Sequence, residues 1–407
     1  MKIAVVKPDY KINGGFEVVV DKLINGLEAR GYYVDLIGVD ITETPDAIAG
    51  IPLPKFVYEF NRFFFDYINN MAKFKNLELN EYDLIISTQP PSFAVTHPHH
   101  ISFFYHHQKI YYDLHDLMKQ QSKGQFRTFG QEITARIVRL LDSKYLNKNI
   151  DFLAGSRHIK RRLNKFSTQD LNVSVCYAGI DEDFLNFSSE CRFDYPVCIG
   201  RHEFPKRTEL FVHAMKHIPA IKGHVIGKGG MTTNLQRLDD YLAYLHYIKK
   251  EDIEDEYLWK KLIFEIGSID LSHMNSGLNN NGIISNVVFK GEISKRTLID
   301  EYSNALCVVC PSYEEDFGLT AVEGMAFGKP IIACDDGGGY IELIDDEKTG
   351  FIVKPDAEEI AGVIEYLNEN KDVAKKIGER GIRKSKRFTW DNTLDVFEEH
   401  IRLVDMD

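Results

Sequence analysis

Cysteine is scarce in this chain, and positive charge is outweighed. Six cysteines among 407 residues are too few and too scattered for a disulfide framework. Cys307-Val-Val-Cys310 has no second cysteine pair with which to complete a tetrahedral zinc site. Residues three apart on a strand also face opposite ways, so these two are expected to be buried strand cysteines. No apolar run reaches the roughly 20 residues that span a bilayer. The opening, MKIAVVKPDY, lacks the long apolar stretch and cleavage site of a secretion signal, so a cytoplasmic location is expected. With 49 Lys and Arg against 61 Asp and Glu the net charge is −12, which argues against a chain-wide nucleic-acid binder. Internal repeats and low-complexity tracts are absent too.

What is there reads as globular: 44% hydrophobic and 27% charged residues over 407 positions, enough for two ordinary domains. Apolar strand patterns are expected over residues 2–6, 33–39, 82–87, 101–105, 151–154 and 171–177, and again over 195–199, 224–226, 287–290, 306–310 and 330–333. Between the first two, Val18, Val20, Leu23, Ile24 and Leu27 mark a helix that stops at Gly31. Alternation of this kind predicts parallel sheets. The expected layout is an α/β chain of two doubly wound domains, 1–186 and 187–388, joined by a short polar linker over 184–193. Ligands of such sheets bind at the carboxyl ends of the strands. A long charged segment over 231–285, with Tyr241, Tyr244, Tyr247 and Trp259, is expected to be helical and to act as a lid, a dimer contact or a decoration.

The most informative stretch is PSYEEDFGLTAVEGMAFG, starting at Pro311. It follows an apolar strand and turns through Phe317-Gly318-Leu319-Thr320 into a helix. Unpaired amides and the dipole at a helix N-terminus favour an anion there. Glu315 and Glu323 flank that turn, and eight residues at helical rise span about 12 Å. That matches the reach from a ribose across a diphosphate to an attached sugar. A surface helix with two solvated glutamates is the plainer reading of the same residues.

Glu315-x-Phe317-Gly318-Leu319-x-x-x-Glu323, followed by a small-residue helix, resembles the signature of the retaining glycosyltransferases of family 4. The resemblance extends over nearly the whole chain, segment 231–285 excepted. It implies the GT-B fold: two Rossmann-like domains facing a central cleft, with a final helix, 389–407, returning to the first. Gly200-Arg201 with Lys206 resembles the family's diphosphate clamp, whose cations stabilise charge gathering on the leaving phosphate. The resemblance implies that the amides of Gly318, Leu319 and Thr320, with Phe317 beside them, complete the phosphate site. It gives Glu323 to the ribose hydroxyls and Glu315 to the donor sugar, both ionised beside Arg201 and Lys206. Gly227, in Ile226-Gly-Lys-Gly-Gly230, and the segment Gly291 to Ile293 resemble the turns nearest the nucleotide. Gly14 and Gly15 resemble the family's N-terminal glycine loop. Phe104-Tyr105-His106-His107 resembles a strand end that carries a histidine near the reacting sugar, with His107 matching better. Gly338-Gly339 with Glu342 resembles a further turn near the donor.

The implied reaction moves a hexose from a nucleotide-sugar donor, UDP-sugar first and GDP-mannose next, to a hydroxyl of a glycan, a lipid-linked sugar or a protein. No metal or cofactor is expected: the crowd of His97, His99, His100, His106, His107 and His115 has no ligand spacing. Two surfaces invite peripheral membrane contact, the aromatic-rich stretch 56–67 and the cluster Arg157, Lys160, Arg161, Arg162 and Lys165. A core helix and a solvated helix face, respectively, are their plainer readings. A GT-B epimerase, a phosphorylase or a non-catalytic partner subunit are the alternatives. The oligomeric state is not legible.

Overall fold

The computed structural model describes residues 1–11, 15–45, 47–48, 51–117, 125–187, 191–248, 254–268 and 285–404. The chain divides into two compact units, Met1–Gly179 with Thr389–Asp407, and Ile180–Phe388. The boundary thus falls before the expected position at 186. The reason is local. Lys295 Nζ reaches the carboxylates of Asp181 and Asp183 at 2.8 and 2.6 Å, and Phe184 packs against the rings of Tyr302 and Phe327. These contacts hold the short helix Glu182–Leu185 to the second unit.

In the first unit, β1 (Lys2–Asp9), β2 (Tyr33–Asp40), β5 (Leu84–Ser87), β6 (His100–Phe104), β7 (Asp151–Ala154) and β8 (Asn172–Val175) form one parallel sheet. Its order is β2-β1-β5-β6-β7-β8. The minor pair β3 (Ala47–Ile48) and β4 (Ile51–Pro52) is antiparallel and separate. β5 and β6 are buried along their whole length, as near-continuous apolar runs are when helices cover both faces. The helix Trp390–Val404 belongs to this unit. Arg30 holds it through Asp395 and Glu398 at 2.7 and 2.9 Å, and the Thr393 hydroxyl donates to Tyr177 O at 2.8 Å.

The second unit repeats the architecture with β9 (Tyr195–Ile199), β10 (Gly223–Ile226), β11 (Val287–Gly291), β12 (Ala305–Cys310), β13 (Ile331–Cys334) and β14 (Gly350–Val353). The order is β11-β10-β9-β12-β13-β14, again parallel throughout. All six residues of β12 are buried. Cys307 and Cys310 lie within it, their thiols pushed up by burial, that of Cys310 to about 12. All six cysteines are free.

The described part of segment 231–285, expected to be a lid, a dimer contact or a decoration, packs into the core of the second unit. Helix Thr232–Tyr247 and helix Asp255–Lys260, with the wider turn Lys261–Glu265 after it, put Leu235, Leu238, Leu242, Leu258 and Leu262 into this unit's core. Arg237 Nε donates to Ile266 O at 3.0 Å. His213 Nδ1 lies 2.6 Å from Asp255 Oδ1. The rest of the segment lies outside the described residues.

Beneath it, helix Thr208–His217 opens with the buried Glu209. Glu209 lines a cavity of about 10 Å³ shared with Trp259 and Leu262. Burial pushes its pKa up to about 7, and the buried Asp142 of the first unit is pushed to about 7 in the same way. Between the ordinary carboxylate range and that value the folded chain keeps protons that the unfolded chain has released. Stability therefore falls as pH rises through this window. Urea unfolding followed by circular dichroism should show that fall, and Glu209→Gln should remove part of it. A full slope in the variant would acquit Glu209.

Candidate active site

Because every strand of the second sheet runs the same way, the loops after β9, β10, β11, β12 and β13 all leave from one edge. β10 and β11 lie on one side of β9, and β12 and β13 on the other. The reversal leaves the crevice at which α/β sheets take ligands, flanked by the loops after β9 and β12.

The loop after β9 is pinned by backbone bonds to the loop after β10. Gly200 N donates to Ile226 O at 3.0 Å, His202 N to Lys228 O at 3.2 Å, and Met231 N to His202 O at 3.0 Å. Gly227 N in turn donates to Gly291 O at 2.8 Å, so Gly200, Gly227 and Gly291 form one continuous rim. Ile293 follows, half-buried. Arg201 stands exposed on this rim, with no ion pair among the described residues. Phe204 packs on Trp259 at 5.6 Å between ring centroids, which carries the support of segment 231–285 onto the loop.

Lys206 and Glu315 come together across the crevice, Nζ to Oε2 at 2.6 Å. Tyr313 and Arg207 brace the pair. Tyr313 N donates to Pro205 O at 2.9 Å. Arg207 forks onto both carboxylate oxygens of Asp336, donates to Pro311 O at 2.7 Å, and lies over the Tyr313 ring at 5.6 Å. Sequence reasoning missed Arg207 and Asp336, because no local pattern joins residues so far apart along the chain.

Glu315 is positioned from behind by glycines. At Gly338, φ +60, a Cβ would sit 2.6 Å from Glu315 O and 2.8 Å from Glu315 N. Gly339 N donates to Glu315 O at 2.7 Å. These glycines therefore act on the loop bearing Glu315. Phe317 is buried against Phe388, so its side chain anchors the turn. Gly318 takes the left-handed conformation, φ +103 and ψ +53, as cap of helix Leu319–Ala326. A Cβ there would lie 2.4 Å from the Tyr340 ring. The Tyr340 hydroxyl meets Thr320 Oγ1 at 2.7 Å, fixing the first turn of the helix.

Glu323 departs from its expected state. Its Oε2 accepts from the Tyr302 hydroxyl at 2.6 Å. Burial raises its pKa above the ordinary glutamate value, against the lowering effect of that hydrogen bond, and Asp181 raises it further. Of the cations expected to favour its ionised form, Lys206 is spent on Glu315.

In the first unit, Gly14 lies outside the described residues. Gly15 is the first residue of helix Gly15–Ala29, and a Cβ there would meet nothing within 4 Å. His107, expected near the reacting sugar, lies within the aromatic packing of the first unit. It is 1% exposed, stacked on Tyr112 at 4.1 Å and edged by Phe104 and Phe166, because the chain turns back into the core after β6. His106, the residue the spacing passed over, is only partly buried and meets His107 O at 2.7 Å through Nδ1. The basic cluster is split as well. Arg162 is buried against Asp113 at 2.9 Å, and Lys160 donates to Val173 O at 2.6 Å. No group of three or more His, Cys, Asp or Glu able to hold a metal ion occurs among the described residues.

Two family models match the chain. "Glycosyltransferase Family 4" matches residues 13–184 and "Glycosyl transferases group 1" residues 274–384. An uncharacterised glycosyltransferase of Methanocaldococcus jannaschii is 27% identical over 96% of this chain and 95% of its own length. D-inositol 3-phosphate glycosyltransferase of Streptomyces coelicolor is 30% identical over 30% of this chain. That match spans only 27% of the Streptomyces protein's length. Among solved structures, sucrose-phosphate synthase of Thermosynechococcus elongatus aligns over 100% of both chains with a TM-score of 0.65 and 20% identity. HepE of Anabaena, in complex with UDP and glucose, aligns over 99% of both chains with a TM-score of 0.65 and 15% identity. The two Rossmann-like parallel sheets are those of the GT-B fold. Within that class, the chain belongs to the glycosyltransferases of the family 4 type.

The positive φ at Gly318 and its contact with Tyr340 give a direct test. Gly318→Ala should lose at least about 2 kcal/mol in chemical denaturation. Wild-type stability in that variant would mean the turn has another way to close.

Proposed function

We propose that this protein is a hexosyltransferase that moves a sugar from a nucleotide-sugar donor to a hydroxyl acceptor with retention of anomeric configuration. The Lys206–Glu315 pair carries the reading. A cation and a carboxylate face each other at 2.6 Å, beside the amide-bearing turn at Gly318 and at the ligand-binding crevice of the sheet. On donor binding, Lys206 would turn to the diphosphate, which the exposed Arg201 and the amides of Gly318, Leu319 and Thr320 also receive. Glu315, released from Lys206, would accept from hydroxyls of the sugar. Glu323 would accept from the ribose hydroxyls, sharing its carboxylate with Tyr302.

The chemistry is a displacement on one face of the sugar. The acceptor oxygen bonds to the anomeric carbon as the bond to the diphosphate oxygen breaks. The bonding pair leaves with the phosphate, and the hydroxyl proton passes to a phosphate oxygen. Cations and amides fixed in place before the reaction stabilise that growing charge without reorganising. No metal is assigned a part. A uridine donor is preferred, a choice supported by HepE, a protein of the same fold crystallised with UDP-glucose; GDP-mannose is next. The acceptor is a glycan, a lipid-linked sugar or a protein hydroxyl.

Thermal melting with UDP, GDP, dTDP and ADP and their sugars, each with and without EDTA, tests the donor site. A selective rise with one nucleotide, unaffected by EDTA, is expected. No rise at millimolar ligand would overturn the reading, and nucleotide binding without turnover on any acceptor would turn it into a non-catalytic subunit.

Glu315→Gln separates binding from chemistry. Turnover should fall by about a hundredfold or more, while UDP still raises the melting point. Unchanged turnover would remove Glu315 from the mechanism.

A further inference from the structure

Segment 231–285 meets the loop after β9 through an aromatic pair as well as through backbone bonds. Helix Asp255–Lys260 is held at its first residue. Asp255 Oδ1 lies 2.6 Å from His213 Nδ1 on helix Thr208–His217. Its other oxygen accepts from Ala357 N, at the start of helix Ala357–Glu369, at 2.6 Å. Leu258 is 1% exposed and joins the core. Trp259, the next residue, is half-buried and lies against Phe204, with 5.6 Å between ring centroids and 43° between planes. Trp259 therefore stands on a support tied to two other helices of the same unit.

Phe204 lies inside a turn. Lys206 N donates to Glu203 O at 2.8 Å, and Glu203 N to Arg201 O at 2.9 Å. The chain from Arg201 to Lys206 is thus folded on itself, with Phe204 and Pro205 at the bend. Tyr313 N holds the backbone of that bend through Pro205 O. The Phe204 side chain is held less closely. It borders the cavity of about 10 Å³ that Glu209, Leu235 and Trp259 also line. Close packing locks a side chain from all sides; beside a void, the Trp259 ring is the wall that fixes Phe204. Two residues after Phe204, Lys206 Nζ meets Glu315 Oε2 at 2.6 Å. A bend loosened at Phe204 would carry the ammonium group away from that position.

We infer that Trp259 is a positioning residue for donor binding: through Phe204 it holds the turn that aims Lys206 at the diphosphate. The inference rests on the donor-site reading above. It goes beyond that reading by giving a part in the site to the segment that lies outside the family resemblance. A cation already in place when the anion arrives loses less freedom on binding. Lysine, a point charge on a flexible stem, gains most from a fixed backbone beneath it. Trp259 acts on Lys206 through the turn and makes no contact with the donor itself.

The test is isothermal titration of the full chain with UDP and with GDP. Titration separates the dissociation constant from the fraction of competent sites. A merely structural defect lowers the fraction and leaves the constant alone. Trp259→Ala should raise the constant about tenfold, and Phe204→Ala should do the same from the other side of the contact. Trp259→Phe keeps a ring at the wall and should stay within about twofold of the wild type. In a Lys206→Ala background, Trp259→Ala should add less than about twofold, because the turn then has no cation to aim. Wild-type affinity in either alanine variant would overturn the proposal and leave the donor-site reading standing. So would an undiminished loss in the Lys206→Ala background, which would make Trp259 act through another group. Absence of nucleotide binding by the wild type would instead overturn the donor-site reading, and this proposal with it.

Discussion

Strand direction is the constraint on which the second unit depends. Six parallel strands deliver all their carboxyl ends to one edge, and the order β11-β10-β9-β12-β13-β14 reverses between β9 and β12. Loops on either side of that reversal diverge and leave a crevice between them. Lys206 arrives from one side and Glu315 from the other, and their ion pair closes across the gap. Strand order therefore brings them together from positions more than a hundred residues apart.

Close backbone packing then makes the site rigid. Gly338 and Gly339 lie against the backbone of residues 314–317, and Gly318 lies against the Tyr340 ring. A single Cβ at any of them would displace the loop that bears Glu315. Arg207 adds charge to the same frame by joining Asp336, Pro311 and Tyr313.

Burial divides the ionisable groups by role. Arg201 stands exposed to solvent. Glu209, Glu323 and Asp142 are held where the charged form is disfavoured. Segment 231–285 sits on the same divide. Its Leu235, Leu238, Leu242, Leu258 and Leu262 join the core beneath the loop that carries Lys206.

Much of this was legible from local pattern. Apolar runs such as ALCVVC mark buried parallel strands, since both faces of such a strand are covered. Glycine before a helix, with glutamates on either side, marked the turn at 318, because that geometry needs a residue tolerant of positive φ. Side-chain direction was not legible. His107 and His106 are neighbours of identical chemistry, and only the return of the chain after β6 puts one ring into the aromatic core and leaves the other partly open. Arg162 and Phe60 show the same limit, an arginine turned inward and a phenylalanine left outside. The sequence by itself determined the strands, the glycine turns and the residue types at the site, because these follow from short-range sterics and hydrophobic period. Only the tertiary structure decided the partners and the protonation, because these depend on which distant segments pack over each side chain.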